Sequence, residues 1–506
     1  MSLDKIRLMS DFLRGGANQS HGRSVSAKGK HRMEVVIPNT SAEKLSGGSI
    51  LNRSRSHWWN TSDSYQPSAP LVGQADVDVC IVGGGINGLS TAYHLKKLEP
   101  SLEVALLEAE VVGFGASGRN AGQIIMKFGG TSPERLVGSY GAERAREAWN
   151  YIHRGIALIQ DLRLDEDIDC DYANTGTMNV CLRIEGDGHV DEAMRLMERM
   201  GQSQYVAYVE SERVEQELGS NQFGAAYHES RGGQFNPLKL VRGLKRAAER
   251  RGARVYENSP VASIDTTENL MTLHTGLGVI RCKKLVLATN AFTHLLPGAR
   301  RLGLAREQTP LMVKGVITQP LSPQQWERVG WPRRAGINIH SDLFYSFAPT
   351  ADGRILYVGG YYTSAPWDRN LAPEIDTRLK RVGPDHLAAF FPALYGVGVA
   401  QTWGGPISIT PDWIPHVGEA RDPRILYACG CWGNGMPCGM QNGRTLAELA
   451  LGKHTENADA WFVTRKKRKW PSRILAAFLA KGVIRKRHVA NRRIGGRMTP
   501  PLRFPR

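Results

Sequence analysis

The first clear pattern along the chain is a short unbroken apolar run, VDVCIV at 77–82. A stretch with helical periodicity follows at 86–98, and a second apolar run at 103–107 ends in Glu108. Unbroken runs of this length read as strands covered on both faces, and the stretch between them as a crossover helix. Residues 77–108 therefore predict a βαβ unit. Leu136, Tyr140, Trp149, Ile152, Ile156 and Ile159 recur near i, i+3 and i+4, which predicts one long helix over about 133–162. A strand is predicted at 175–183 and a helix at 189–201. Residues 236–264 read as a helix running into a strand, and 283–292 as a further strand. Short strands with aromatics fill 311–318, 343–348 and 354–361. A last strand and turn at 424–436 lead into a helix at 442–452. Early alternation followed by an antiparallel block predicts a doubly wound α/β domain interrupted by an α+β domain.

A chain of 506 residues suits two or three domains. The pattern divides it into a flexible basic leader at 1–75 and a nucleotide-binding domain in three segments, 76–150, 236–304 and 401–463. The substrate domain takes two segments, 151–235 and 305–400, and a basic tail with an amphipathic helix occupies 464–506. The net charge of +17 is unevenly spread: 464–506 holds 15 Lys and Arg and no acid, whereas 76–463 is near neutral at −3. The seven cysteines, at 80, 170, 181, 282, 429, 431 and 438, are odd in number and scattered, which argues against a disulfide framework. No apolar run approaches a bilayer span, and the first residues lack an apolar secretory core, so the expected location is cytoplasmic.

Between the two strands lies Gly83-Gly84-Gly85-Ile86-Asn87-Gly88. Gly83 allows a tight turn, Gly85 lets the backbone approach a pyrophosphate, and Gly88 lets the helix pack on the strand. The free N–H groups at the helix start face the phosphates. Glu108 sits where its carboxylate accepts from both ribose hydroxyls and repels a 2′-phosphate, which favours FAD or NAD over NADP. Such a loop alone also serves as a plain structural turn. The next stretch, GFGASGRNAGQI at 113–124, is a second Gly-rich approach with donors at Arg119 and Asn120. A flavin needs this second loop; a nicotinamide does not.

VGGGINGLS with LLEAE, the GASGRNAGQ loop, LATNAFT and the closing TWGGPISITPDWIPHVGE…LYACGCWGNGM together resemble the D-amino acid oxidase (DAO) superfamily of FAD-dependent amine and amino-acid oxidoreductases. GFGASGRNAGQ is similar to the gamma-glutamylputrescine oxidoreductase branch. The resemblance implies a Rossmann-like FAD-binding domain of the glutathione-reductase type and an α+β substrate domain with an antiparallel sheet. It places Gly83, Gly85, Gly88 and Glu108 on the ADP half, and Ser117, Arg119, Asn120, Gly122 and Gln123 along the pyrophosphate and isoalloxazine. Val261 falls by the adenine, and Ala288, Thr289 and Asn290 on a second flavin turn. Gly433, Asn434, Gly435 and Met436 point N–H groups at the ring. Trp432, Asn434, Met436 and Trp403 are the implied catalytic set, with Tyr345, Tyr361 and Tyr362 as substrate-facing aromatics.

Several positions depart from the family pattern. Asn434 stands where many relatives carry histidine, and Pro437 where the sarcosine-oxidase branch carries lysine. Gly405 stands where covalently flavinylated relatives carry cysteine, so the expected FAD is non-covalent. Gly359-Gly360-Tyr361-Tyr362 replaces a common Gly-Gly-Arg. The expected reaction is oxidative deamination of an amine or amino acid, a gamma-glutamylated polyamine or another secondary amine being the narrow reading. Oxygen or a quinone is the expected acceptor, and a same-fold dehydrogenase or a nucleic-acid-associated flavoprotein are the alternatives. In the tail, Leu475, Leu479 and Val483 form a stripe beside Ile474 and Phe478. That helix suits docking on the flavin domain, an anionic membrane surface or nucleic acid.

Overall fold

The structure is a computed structural model and describes residues 55–341, 343–364 and 377–502. One sheet is built around the strand Gly73–Val82, whose last four residues are all buried. It pairs in parallel with Val104–Leu107 on one side and with Gly278–Leu287 on the other. Arg254–Tyr256 extends the first side, Ile425–Cys429 the second, and His416–Glu419 closes the edge antiparallel. Successive strands thus lie on opposite sides of the first, and a crevice opens at the carboxyl ends of the strands. Helices Ile86–Leu98, Pro237–Arg250 and Gly435–Ala450 pack together over one face. Small residues allow the close contact: Ser90 Oγ donates to Met440 O at 2.6 Å.

The second sheet has eight strands, in the order Val399–Ile409, Thr309–Thr318, Ile355–Ser364, Tyr345–Pro349, Gly336–Ile339, Thr177–Leu182, Phe223–Glu229 and Val206–Val209. All neighbours are antiparallel except Gly336–Ile339 with Thr177–Leu182. Helix Thr377–Phe390 covers one face with its own apolar core, which includes Tyr345, Phe347, Tyr357 and Phe390. The α/β fold with a Rossmann-like domain and an antiparallel-sheet domain therefore agrees with expectation.

Particular boundaries differ. The long helix is two helices, Pro133–Tyr140 and Ala142–Asp165, broken at Gly141, whose φ of 81° is left-handed. The strand expected at 283–292 ends at Leu287 and gives way to a 3-10 helix, Asn290–Leu295. Val399–Ile409 belongs to the second sheet, so the flavin-domain segment expected from 401 resumes only after it. The leader expected to be flexible to 75 is packed from residue 55. Ser56 Oγ donates to Gly118 O at 2.7 Å, and the buried Trp58 donates through Nε1 to Asn120 O at 2.9 Å. The average composition of 1–75 conceals this aromatic anchor.

The tail departs from docking on the flavin domain alone. Its first residues do bind there, through Arg465 to Asp412 at 2.6 Å and Lys469 to Glu307 at 2.8 Å. Helix Arg473–Gly495 then packs against Ile355–Ser364, and Ile494, Met498 and Leu502 enter the core of the second sheet. Among the described residues no helix is long and apolar enough to cross a membrane.

Candidate active site

The crevice at the end of Gly73–Val82 is lined first by the glycine loop. Gly83 has φ 115°, and a Cβ there would stand 2.7 Å from Ala288 O. A Cβ on Gly88 would stand 2.0 Å from Gly83 O, so helix and strand touch backbone to backbone. Helix Ile86–Leu98 begins with no acidic residue in its first turn, and its Ile86 N–H donates to Ser117 Oγ at 3.0 Å. Ser117 thus stands at an anion-attracting helix start. Glu108, half-buried, accepts from Gly84 N at 2.6 Å and Glu110 N at 3.0 Å. Burial pushes its carboxyl up to about 7 against the pull of those two N–H groups. Val261 is half-buried beside the core of the same sheet.

The second loop is clamped from both sheets. Asn120 ties it internally through Nδ2 to Ala116 O and Ser117 O, and its Oδ1 accepts from Gly122 N at 2.9 Å. Arg119 Nε donates to Phe114 O at 2.7 Å, and burial lowers its guanidinium to about 10. Gln123 donates through Nε2 to Ser346 Oγ at 2.9 Å and Phe347 O at 3.0 Å. Trp403 is buried and donates through Nε1 to Arg119 O at 2.9 Å. Trp403, expected in the catalytic set, is instead placed inside the core, where it holds the loop through Arg119 O.

The closing block faces the loop. Ala288 N donates to Val82 O, and Thr289 and Thr293 share a hydroxyl contact at 2.9 Å. Asn290, at φ 42°, has a buried Oδ1 without a partner. Trp432 and Trp413 both adopt positive φ, 54° and 71°, and their rings stack at 4.1 Å. Such backbone costs ~1–3 kcal/mol per residue and marks a shape imposed by its surroundings. Arg135 lies 4.0 Å over the Trp413 ring, and Trp432 Nε1 donates to Thr410 Oγ1 at 2.9 Å. Asn434 Nδ2 donates to Gly129 O at 2.7 Å and leads into helix Gly435–Ala450, again without an acid in its first turn. Gly433 is exposed, Gly435 half-buried and Met436 buried.

Tyr345 is corrected by strand parity. It is fully buried on the face that packs on helix Thr377–Phe390, with its hydroxyl 2.9 Å from His386 Nδ1. Ser346, its neighbour, takes the face that meets Gln123. Tyr345 is thus a core residue and not a wall of the site. Tyr361 and Tyr362 lie on strand Ile355–Ser364 with side chains outside the described residues. Sequence reasoning assigned no role to Arg135, which no local motif advertises, or to Thr410 and Trp413, which lie inside the quoted closing block.

Two helix N-termini free of acids, a glycine backbone contact, a carboxylate at the second strand end and an unsatisfied Asn290 oxygen converge on one crevice. These residues fit a dinucleotide carrying a flavin. That defines a two-domain flavin oxidoreductase. The chain belongs to the FAD dependent oxidoreductase (DAO) family, whose pattern matches residues 78–449, and FAD is its cofactor. It is 31% identical over 414 residues to gamma-glutamylputrescine oxidoreductase of Escherichia coli K12, covering 81% of this chain and 92% of the relative. Glycine oxidase of Bacillus licheniformis is 26% identical over 401 residues, 77% of this chain and 97% of the relative. The crystal structure of glycine oxidase from Geobacillus kaustophilus shares the fold at a TM-score of 0.65 and 22% identity, over 77% of this chain and 99% of that one.

Removing the Glu108 carboxylate strands the Gly84 and Glu110 N–H groups at the end of the second strand. Glu108→Ala is expected to weaken FAD by ~1–3 kcal/mol, ~10–100-fold in Kd, measured by flavin fluorescence titration of the apoprotein.

Proposed function

We propose that this protein oxidises an amine or amino acid at the carbon beside nitrogen, giving an imine that water hydrolyses to a carbonyl and the released amine. Bound FAD supplies the acceptor for the hydride. The chain's residues bind, orient and exclude water. Ser117 and the Ile86 N–H hold the pyrophosphate, and Glu108 holds the ribose. The N–H groups of Gly433, Gly435 and Met436 serve the ring edge where negative charge develops, that of Asn434 being held by Cys431 O at 3.0 Å. The Trp432–Trp413 stack walls the site. The observation that carries the reading is the second loop, fastened to the nucleotide sheet through Ser117 and to the substrate sheet through Gln123. It joins cofactor to substrate domain at one point. A gamma-glutamylated polyamine or other secondary amine is the narrower substrate reading, supported by the relative that is 31% identical.

We read FAD as non-covalent. A second reading, transfer to an acceptor other than oxygen, is favoured by Pro437. That residue is buried, and its carbonyl lies 2.1 Å from where a Gly155 Cβ would stand, so the place is filled by helix packing and carries no cation.

The test is anaerobic addition of amines to the FAD-loaded protein, with air admitted afterwards. Bleaching of the visible flavin band by an amine is the expected result, and recovery in air identifies oxygen as acceptor. Acid precipitation is expected to release the flavin. A protein that no amine or amino acid bleaches overturns the reading.

A further inference from the structure

The tail helix Arg473–Gly495 has one side occupied and one side open. Ala476, Asn491 and Ile494 are buried, and the helix packs against strand Ile355–Ser364 of the substrate sheet. At about 100° per residue these positions gather on a single side. The opposite side carries Phe478 and Val489, which are 71% and 60% exposed. They stand about three turns apart and within about 20° of one another around the axis, so both side chains are turned away from the body.

Cations flank this apolar pair. Lys481, Arg485 and Arg492 lie along one flank and Lys486 and Arg493 along the other, all of them exposed. Among the described residues none of these side chains makes an ion pair. The segment 464–506 contains no Asp or Glu to neutralise them. Nearer the start of the tail, Arg465 and Lys469 meet Asp412 and Glu307, so the positive charge is compensated there and uncompensated along the helix.

A single exposed apolar residue is ordinary. Two aligned on the outer face of a helix, between rows of Lys and Arg, make the arrangement that beds into the boundary between lipid headgroups and acyl chains. The long cationic side chains run outward beside the apolar pair and leave their charges at the level of the phosphates. Nucleic acid would be served by the cations, but Val489 has no ring on which a base could stack and gains nothing from a phosphate backbone. No described helix can cross a bilayer, so this one would lie in the surface plane.

We propose that the outer face of Arg473–Gly495 seats the protein on an anionic lipid surface, with Phe478 and Val489 entering the interface and the flanking Lys and Arg pairing with headgroup phosphates. The helix lies beyond the family-matched residues 78–449, so the surface belongs to this chain's tail and not to the family pattern. Its inner side is fixed to the substrate sheet, and the body therefore meets the membrane in one orientation. The proposal goes beyond the amine-oxidation reading and does not depend on it.

The test is flotation of the FAD-loaded full-length protein with vesicles of phosphatidylcholine alone, and with vesicles of equal parts phosphatidylcholine and phosphatidylglycerol. The protein is expected to float with the anionic vesicles and not with the neutral ones, and to be released as salt is raised. Phe478→Ser combined with Val489→Ser is expected to weaken binding ~10–100-fold, because two apolar side chains no longer leave water. Lys481→Gln, Arg485→Gln and Lys486→Gln together are expected to weaken it ~100-fold, at ~5-fold for each cation. All these positions are exposed, so melting temperature and flavin content are expected to match the wild type in both variants. Equal flotation with neutral vesicles, flotation with neither kind, or binding undiminished in either variant overturns the proposal. A single-stranded oligonucleotide bound more tightly than the anionic vesicles, and as tightly by the Phe478→Ser, Val489→Ser variant, would overturn it in favour of nucleic acid.

Discussion

Gly88→Ala is expected to yield protein that holds no FAD and melts far below the wild type. The added methyl would sit 2.0 Å from Gly83 O and 3.3 Å from Ala288 Cβ. The first of these is backbone at the end of the central strand, in a residue whose φ of 115° no ordinary residue adopts, so it has nowhere to go. Alanine is the better helix former by ~1 kcal/mol, but overpacking a fixed contact costs ~1–3 kcal/mol or more, and here it also pries the phosphate-facing helix start from the strand. Gly85→Ala supplies the contrast. Its methyl would meet Ser117 Oγ at 3.0 Å, the end of a side chain that can rotate. It is therefore expected to fold and to lose affinity rather than stability. Circular dichroism, melting temperature and FAD content separate the two. A Gly88→Ala protein that is yellow and as stable as the wild type would refute the backbone-contact argument.

The second large effect is expected at His416, which lies wholly buried between Glu307 Oε2 at 2.7 Å and Asp412 Oδ1 at 3.0 Å. Burial alone would lower its pKa, but the hydrogen bonds and charges of Asp412 and Glu307 overcome this and raise it. Arg465 and Lys469 reach the same two carboxylates, and Lys467 lies near enough to Glu307 to feel its charge. Losing the imidazolium leaves buried carboxylates short of one cation, a loss of ~3–5 kcal/mol, so His416→Ala is expected to melt early and to loosen the tail. The pH dependence carries a signature. A raised histidine stabilises fully below its unfolded value near 6.5, and that contribution is lost as pH climbs through the folded value. Glu307 and Asp412 are lowered, so theirs is present above about 4.5 and lost as pH falls. Melting temperature is thus expected to be highest between about pH 4.5 and 6.5. His416→Gln should lose the alkaline decline, and a decline that persists in that variant would assign it elsewhere.

Most of the first βαβ unit and its glycine turn was legible because its constraints are local. Gly83, Gly88 and Glu108 are dictated by one turn and one strand end, and periodicity marks the neighbouring elements. Trp403 and Tyr345 were misjudged because composition shows that a strand is aromatic, while strand parity against distant partners decides which face each ring takes. Trp58 was hidden by the polar average of its surroundings. Gly141 breaks a helix whose apolar period runs straight through it, so the pattern alone reads as continuous.

Two long-range hydrogen bonds of the loop region carry a consequence for synthesis. Asn434 reaches a carbonyl 305 positions earlier, and Trp403 one 284 positions earlier. A ribosome exposes the phosphate-facing loop long before the strand and helix that complete its crevice. Until residue 436 has emerged, the nascent chain carries an open parallel sheet with unpaired neighbours, which is slow to mature and prone to sticking. Flavin therefore meets finished chains, and scarcity of the cofactor in a cell would leave behind full-length apoprotein rather than stalled fragments.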